Sequence, residues 1–161
     1  MNEKDTISIA TEYFDRAYKL HMDGKLENAI LAYRASIRIF PSARAYSRLA
    51  EVYSLQGKFN LAIELCKKAI ELEPQLGSLY HDIGSYLVSI EMDEEAISWF
   101  ERAIQINSPN SNCYSYYNLG KIYEKEGDWM NALRNFNKAV AIDGTYEPAQ
   151  NAIIKLSTLL N

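Results

Sequence analysis

The residues best suited to chemistry are few in this chain and far apart. His21 and His81 are its two histidines. Neither has an Asp, Glu or Cys beside it at the spacing of a metal-ligand set. Cys66 and Cys113 are the two cysteines. They supply neither a disulfide framework nor a multi-cysteine metal site, and they read as free thiols of a reducing compartment. No glycine-rich phosphate loop, HExxH, nucleophile elbow or local Cys/His pairing occurs, so neighbouring residues assemble no nucleophile, base and oxyanion donors. The expected role is therefore non-catalytic, with no cofactor and no metal. The acidic run Asp93-Glu94-Glu95 reads as a helix start, with Asp93 as N-cap and carboxylates near exposed backbone N–H groups. Asp128 before Trp129 reads the same way. What remains is recognition chemistry: Arg44 and Arg48 stand one helical turn apart, and guanidinium groups suit carboxylates.

Composition narrows the partner class. The chain has 161 residues, 48% apolar and 24% charged, with seven Gly and four Pro, the make-up of a folded globular protein rather than a disordered one. Seventeen Lys and Arg stand against 21 Asp and Glu, a net charge of -4. Without a basic block to neutralise phosphates, nucleic acid and anionic membrane surfaces are not the expected partners. The polar start, Met1-Asn2-Glu3-Lys4-Asp5, lacks the apolar core of a secretory signal. No apolar run is long enough for a membrane helix, which makes the cytoplasm the default location.

The elements that must position any site follow from a repeat. Ala29, Ala62, Ala96 and Ala132 recur at spacings of 33, 34 and 36 residues. Each opens one triplet: Ala29-Tyr33-Ser36, Ala62-Cys66-Ala69, Ala96-Phe100-Ala103 and Ala132-Phe136-Ala139. The four-then-three spacing puts the triplet on one helix face, where small residues admit a close neighbour and the large one fills space. Gly24, Gly57 and Gly127 lie just upstream, and Pro41, Pro74, Pro109 and Pro148 punctuate the chain at near-even intervals. Before the glycine comes a second stripe: Tyr46-Leu49-Ala50-Tyr53, Tyr80-Ile83-Gly84-Leu87 and Tyr116-Leu119-Gly120-Tyr123. Seven of the twelve tyrosines occupy such positions, and with Trp99 and Trp129 they are assigned to the core.

With a period near 34, this pattern of aromatic, Leu, Gly or Ala and Tyr, then Ala, aromatic, Ala and Pro, resembles the tetratricopeptide repeat family over about residues 10 to 146. The resemblance implies an all-α, right-handed α-solenoid of four helix pairs, with repeats at about 10–42, 43–76, 77–112 and 113–146 and a capping helix at 147–161. The helices are expected at 6–22 and 26–39, 43–56 and 59–72, 77–90 and 93–106, 112–126 and 129–142, and 146–160. Departures mark weak points. Arg16 and Leu20 replace the expected Leu and Tyr, Glu91 stands where Gly normally ends a first helix, and Gly144 stands for the closing Pro. The residues Ser108-Pro109-Asn110-Ser111-Asn112 predict a longer turn, with Ser111 or Asn112 as N-cap.

The family resemblance also implies that first helices line a concave groove that binds a protein or peptide. The residues it places there are Phe14, Tyr18, Arg44, Arg48, His81, Tyr114, Tyr117, Asn118 and Lys121. Asp15, Arg48, Asp82 and Asn118 hold equivalent places, which predicts an ion-pair ladder with Arg48 between two acids. Arg44 has no acid in that ladder and is the stronger ligand contact, with Tyr114, Tyr117 and Lys121 as a second contact region. The Lys and Asn with which family members grip the terminal carboxylate of heat-shock chaperones are replaced by Phe14 and Tyr18, so that clamp is not expected. The resulting expectation is a non-catalytic interaction scaffold, monomeric or weakly dimeric through Leu159 and Leu160. A secretion-type chaperone is the alternative, and an enzyme comes third.

Overall fold

Small residues at the two ends of each triplet let two helices approach closely, while the member between them fills the space, and this is what shapes the fold. The computed structural model describes residues 2–106 and 109–160. Among them are nine helices and no strand. They are α1 (Glu3–Met22), α2 (Leu26–Ile39), α3 (Ala43–Leu55), α4 (Phe59–Leu72), α5 (Gly77–Ser89), α6 (Asp93–Gln105), α7 (Pro109–Glu126), α8 (Trp129–Ile142) and α9 (Glu147–Leu159). No helix among the described residues is long and apolar enough to cross a membrane. The chain divides into two units, Met1–Gln75 with α1 to α4 and Leu76–Asn161 with α5 to α9.

Each pair turns over in the same way. In α1–α2 the N–H groups of Gly24 and Lys25 donate to the carbonyls of His21 and Leu20, and in α3–α4 those of Gly57 and Lys58 donate to Ser54 and Tyr53. In α7–α8, Gly127 and Asp128 bond Glu124 and Tyr123, again closing the helix end through a left-handed residue. The three glycines have φ of 73°, 72° and 79°, and in α5–α6 Glu91 takes the same conformation at φ 62°. Its N–H donates to Val88, and that of Met92 to Leu87. The turn is thus kept despite the missing glycine, because the flanking helices fix its ends.

In the first unit the triplets of α2 and α4, Ala29-Tyr33-Ser36 and Ala62-Cys66-Ala69, are buried against first helices. The Ser36 hydroxyl donates to the Ala10 carbonyl at 2.7 Å, which satisfies that buried polar group. In the second unit, Phe100 and Phe136 fill the space left by glycines. A Cβ on Gly84 would lie 2.7 Å from the Phe100 ring, and one on Gly120 2.5 Å from that of Phe136. Glycine is therefore tied here to a large second-helix aromatic. The last helix seals this unit: Leu156 is fully buried with Ala132 and Phe136, and Ile153 and Tyr117 pack around them.

Two local expectations are corrected and a third holds. Helix α7 begins at Pro109, so Ser111 and Asn112 lie inside the helix instead of capping it; Ser108 lies outside the described residues. Met92, not Asp93, is the N-cap of α6, and Asp93 instead accepts a bond from Lys125. Asp128 does cap α8, accepting from the Asn131 N–H at 3.1 Å.

Candidate functional site

The residues expected to bind a peptide fall on helices of both units. In the first unit, Phe14 and Tyr18 sit one turn apart on α1, and Arg44 and Arg48 one turn apart on α3. The two turns meet ring to cation. The Arg44 guanidinium lies 4.2 Å from the Phe14 ring centre and that of Arg48 5.7 Å from the Tyr18 ring, both within range for cation–π attraction. Phe14 is only 5% exposed and touches Tyr33 at 5.5 Å between ring centres, so it is a core residue roofed by Arg44. Tyr18 is exposed. Thr11, Ser42 and Arg44 border a small cleft of about 190 Å³ over Phe14.

Arg48 departs from the expected ladder. Its guanidinium donates to Glu51 of its own helix at 2.7 Å, and no pair with Asp15 forms. A partner three residues along the same helix needs no long-range ordering, which favours this pairing. That hydrogen bond is also the main reason the Arg48 pKa is raised further. Arg44 makes no ion pair among the described residues and remains exposed. Below them the Tyr33 hydroxyl is buried without a protein partner, and burial pushes its pKa up to about 12.

In the second unit, Tyr114, Tyr117, Asn118 and Lys121 form one stripe along α7. Tyr114 and Tyr117 both meet the Tyr146 ring edge-on at 5.3 Å, a favoured aromatic geometry. Burial raises the Tyr146 phenol to about 12. Tyr117 also leans on Phe136 at 5.6 Å, which anchors it, whereas Tyr114 is 47% exposed. His81 stands behind Tyr114, 6.2 Å between ring centres. Its Nδ1 lies 3.0 Å from the Ser115 hydroxyl and its Nε2 3.4 Å from that of Ser85. Burial lowers the His81 pKa to about 4. The ring is therefore neutral near pH 7, and it braces the α7 face instead of offering a charge.

Asn118 and Lys121 lead into a cleft of about 530 Å³. Its apolar walls are Val88, Ile122, Trp129 and Leu159. At its rim, Glu124 accepts from Lys121 at 2.5 Å and from Lys155 at 2.8 Å, while Lys125 bonds Asp93 at 2.5 Å. The lysine bonds hold the Glu124 carboxyl below its ordinary pKa. The two carboxylates are largely covered, at 10% and 16% side-chain exposure, and the three ammonium groups stay outermost. Three cations over two acids leave one net positive charge beside an apolar wall. That combination suits a peptide carrying a carboxylate and an apolar side chain.

Several of these groups escape sequence reasoning. Trp129 is assigned to the core by its place in the repeat, yet it is 41% exposed and faces the cleft. Glu124 and Lys125 read as a solvated face. Lys155 and Leu159 join the site because α9 folds back against α8, bringing Lys155 to a carboxylate 31 residues upstream. Among the described residues no group of His, Cys, Asp and Glu side chains is placed to hold a metal.

Comparison with known proteins agrees with the helical-repeat fold. One family model, described as tetratricopeptide repeat, matches residues 43–76 and 113–146. A second of the same description matches residues 77–110. The mitochondrial import receptor subunit TOM70 of Rattus norvegicus is 26% identical over 129 residues, covering 79% of this chain and 21% of its own length. A TPR repeat-containing protein of Methanocaldococcus jannaschii is 28% identical over 149 residues, covering 91% of this chain and 25% of itself. The chain thus spans about a fifth to a quarter of these curated relatives. The crystal structure of MamA protein superimposes with a TM-score of 0.80 at 28% identity, over 91% of this chain and 80% of that one.

Proposed function

The chain belongs to the tetratricopeptide repeat family, whose repeats indicate a protein–protein interaction scaffold, and on that premise we propose that it acts without catalysis, holding a segment of a partner protein on its first-helix faces. In the second unit the segment lies along Tyr114 and Asn118 and sends an apolar side chain into the cleft beside Trp129. A carboxylate of the same segment meets Lys121. In the first unit, Arg44 and Tyr18 make the corresponding contacts. The observation that carries this reading is the cleft at the end of the α7 stripe, where exposed cations and a half-exposed tryptophan sit together. Aromatic residues and arginine concentrate binding energy at protein interfaces, and repeat packing does not require these ones to be exposed.

The reading predicts a separation of binding from stability. With a partner captured on the immobilised chain, Arg44→Ala, Tyr114→Ala and Lys121→Ala should each weaken affinity by about 1 kcal/mol or more, measured by titration calorimetry. The melting temperature should stay near that of the unaltered chain, since all three side chains are exposed. Wild-type affinity in all three variants would move the contact surface elsewhere.

A further inference from the structure

A second cleft opens on the opposite side of α3. At 100° per residue, Arg44, Arg48 and Glu51 share one face of that helix, and Tyr46, Leu49 and Tyr53 share the other. Those last three floor a cleft of about 480 Å³ between α2 and α4. Its walls are Ile37 from α2 and Leu61 and Leu65 from α4, with Leu61 46% exposed. Three cations stand around it, Arg34 and Arg38 from α2 and Lys68 from α4, against one carboxylate, Glu64. Arg34 is fixed in place, donating from Nη2 to the Tyr53 hydroxyl at 2.7 Å. Arg38 and Lys68 form no ion pair among the described residues and are exposed.

Packing of the repeat does not call for this set. Aligned on the helix-pair alanines, the places of Arg34 and Arg38 are taken by Glu101 and Gln105 in α6. Those of Leu61 and Leu65 are taken by Asn131 and Asn135 in α8. The same helix-pair geometry therefore forms with polar or acidic groups at every one of these positions. The leucines of α4 and Arg38 of α2 are thus free to serve something other than the fold.

We propose that this cleft is a second docking surface, separate from the first-helix faces, and that its occupant is an acidic amphipathic segment of a partner protein. Apolar side chains of the segment cover Leu61 and Leu65, and its Asp or Glu side chains reach Arg38 and Lys68. A free inorganic anion would leave the leucine wall unused, and a purely apolar segment would leave the guanidinium groups without a counter-charge. Only a ligand carrying both chemistries engages the whole cleft.

The test is a selection from a displayed library of random peptides of about twelve residues on the immobilised full chain. A double variant, Arg38→Glu with Lys68→Glu, serves for counter-selection after its thermal melt is checked, and Arg38→Ala with Lys68→Ala is the second, milder form. The expected clones interleave Asp or Glu with Leu, Ile or Phe. Their synthetic peptides should lose affinity about tenfold or more on either double variant and on raising the salt, yet bind Arg44→Ala and Tyr114→Ala unchanged. That last arm separates this surface from the one proposed above, so each can fail alone. Recovered peptides without acidic residues, peptides that bind both double variants as well as wild type, or no recovered peptides at all would overturn the proposal. Self-association of the chain that disappears in the double variants would overturn it too, because the occupant would then be a second copy.

Discussion

Glu91 holds a left-handed conformation that its three counterparts hold as glycine. A side chain there crowds the following carbonyl, at a cost of about 1 kcal/mol. Replacing Glu91 with Gly should therefore raise the unfolding free energy by about 1 kcal/mol in urea titrations, net of glycine's greater freedom when unfolded. No gain would mean that the Glu91 side chain compensates for its own strain. His81 sets a second expectation. Its pKa is about 4 in the fold against 6.5 as the ordinary value, so the unfolded chain takes up its proton first as pH falls. The stabilising effect of neutral His81 is complete above pH 6.5 and is lost as pH falls toward 4, by about 3 kcal/mol in all. An NMR titration should place the His81 midpoint well below that of a free histidine, and His81→Asn should flatten the stability profile across that window. A midpoint near 6.5 would show that the ring is open to water.

Among the helices, α9 has the clearest structural duty, since Leu156 covers Phe136 and Ala132 at the end of the second unit. Leu156→Ala should cost about 2 to 5 kcal/mol, the range for truncating a buried leucine, seen as an earlier midpoint in denaturant. A loss under 1 kcal/mol would mean that α9 is a loosely attached tail. The helices themselves were legible because a four-then-three spacing of small and large residues has one physical solution, a pair packed along that stripe. Their ends were less so. Pro109 suits the first turn of a helix as well as it suits a loop, which is why α7 starts earlier than the turn-like sequence around it suggests. The candidate site was legible only where it lies on a single helix. Tyr114, Asn118 and Lys121 follow from spacing along α7, but Lys155 reaches Glu124 and Lys125 reaches Asp93 through packing. Arg48 pairs with Glu51 beside it, a choice that comparison of equivalent positions could not reveal.

For the molecule as a whole, a repeat fold settles its interior with the same few positions and leaves the rest of each helix free to vary. The varied positions are where the cations and exposed aromatics of both units lie. The central claim is that the α7 face holds a protein segment, and site-specific photo-crosslinking reads it most directly. A photoreactive phenylalanine analogue would replace Tyr114 or Asn118, and a control would replace Met130 of α8, which is 73% exposed and does not line the cleft. In extract of the native cells, the account predicts one and the same adduct at positions 114 and 118, lost when Lys121→Ala is added, and no such adduct at 130. Absence of any adduct at 114 and 118, or an equal yield of the same adduct at 130, would contradict it.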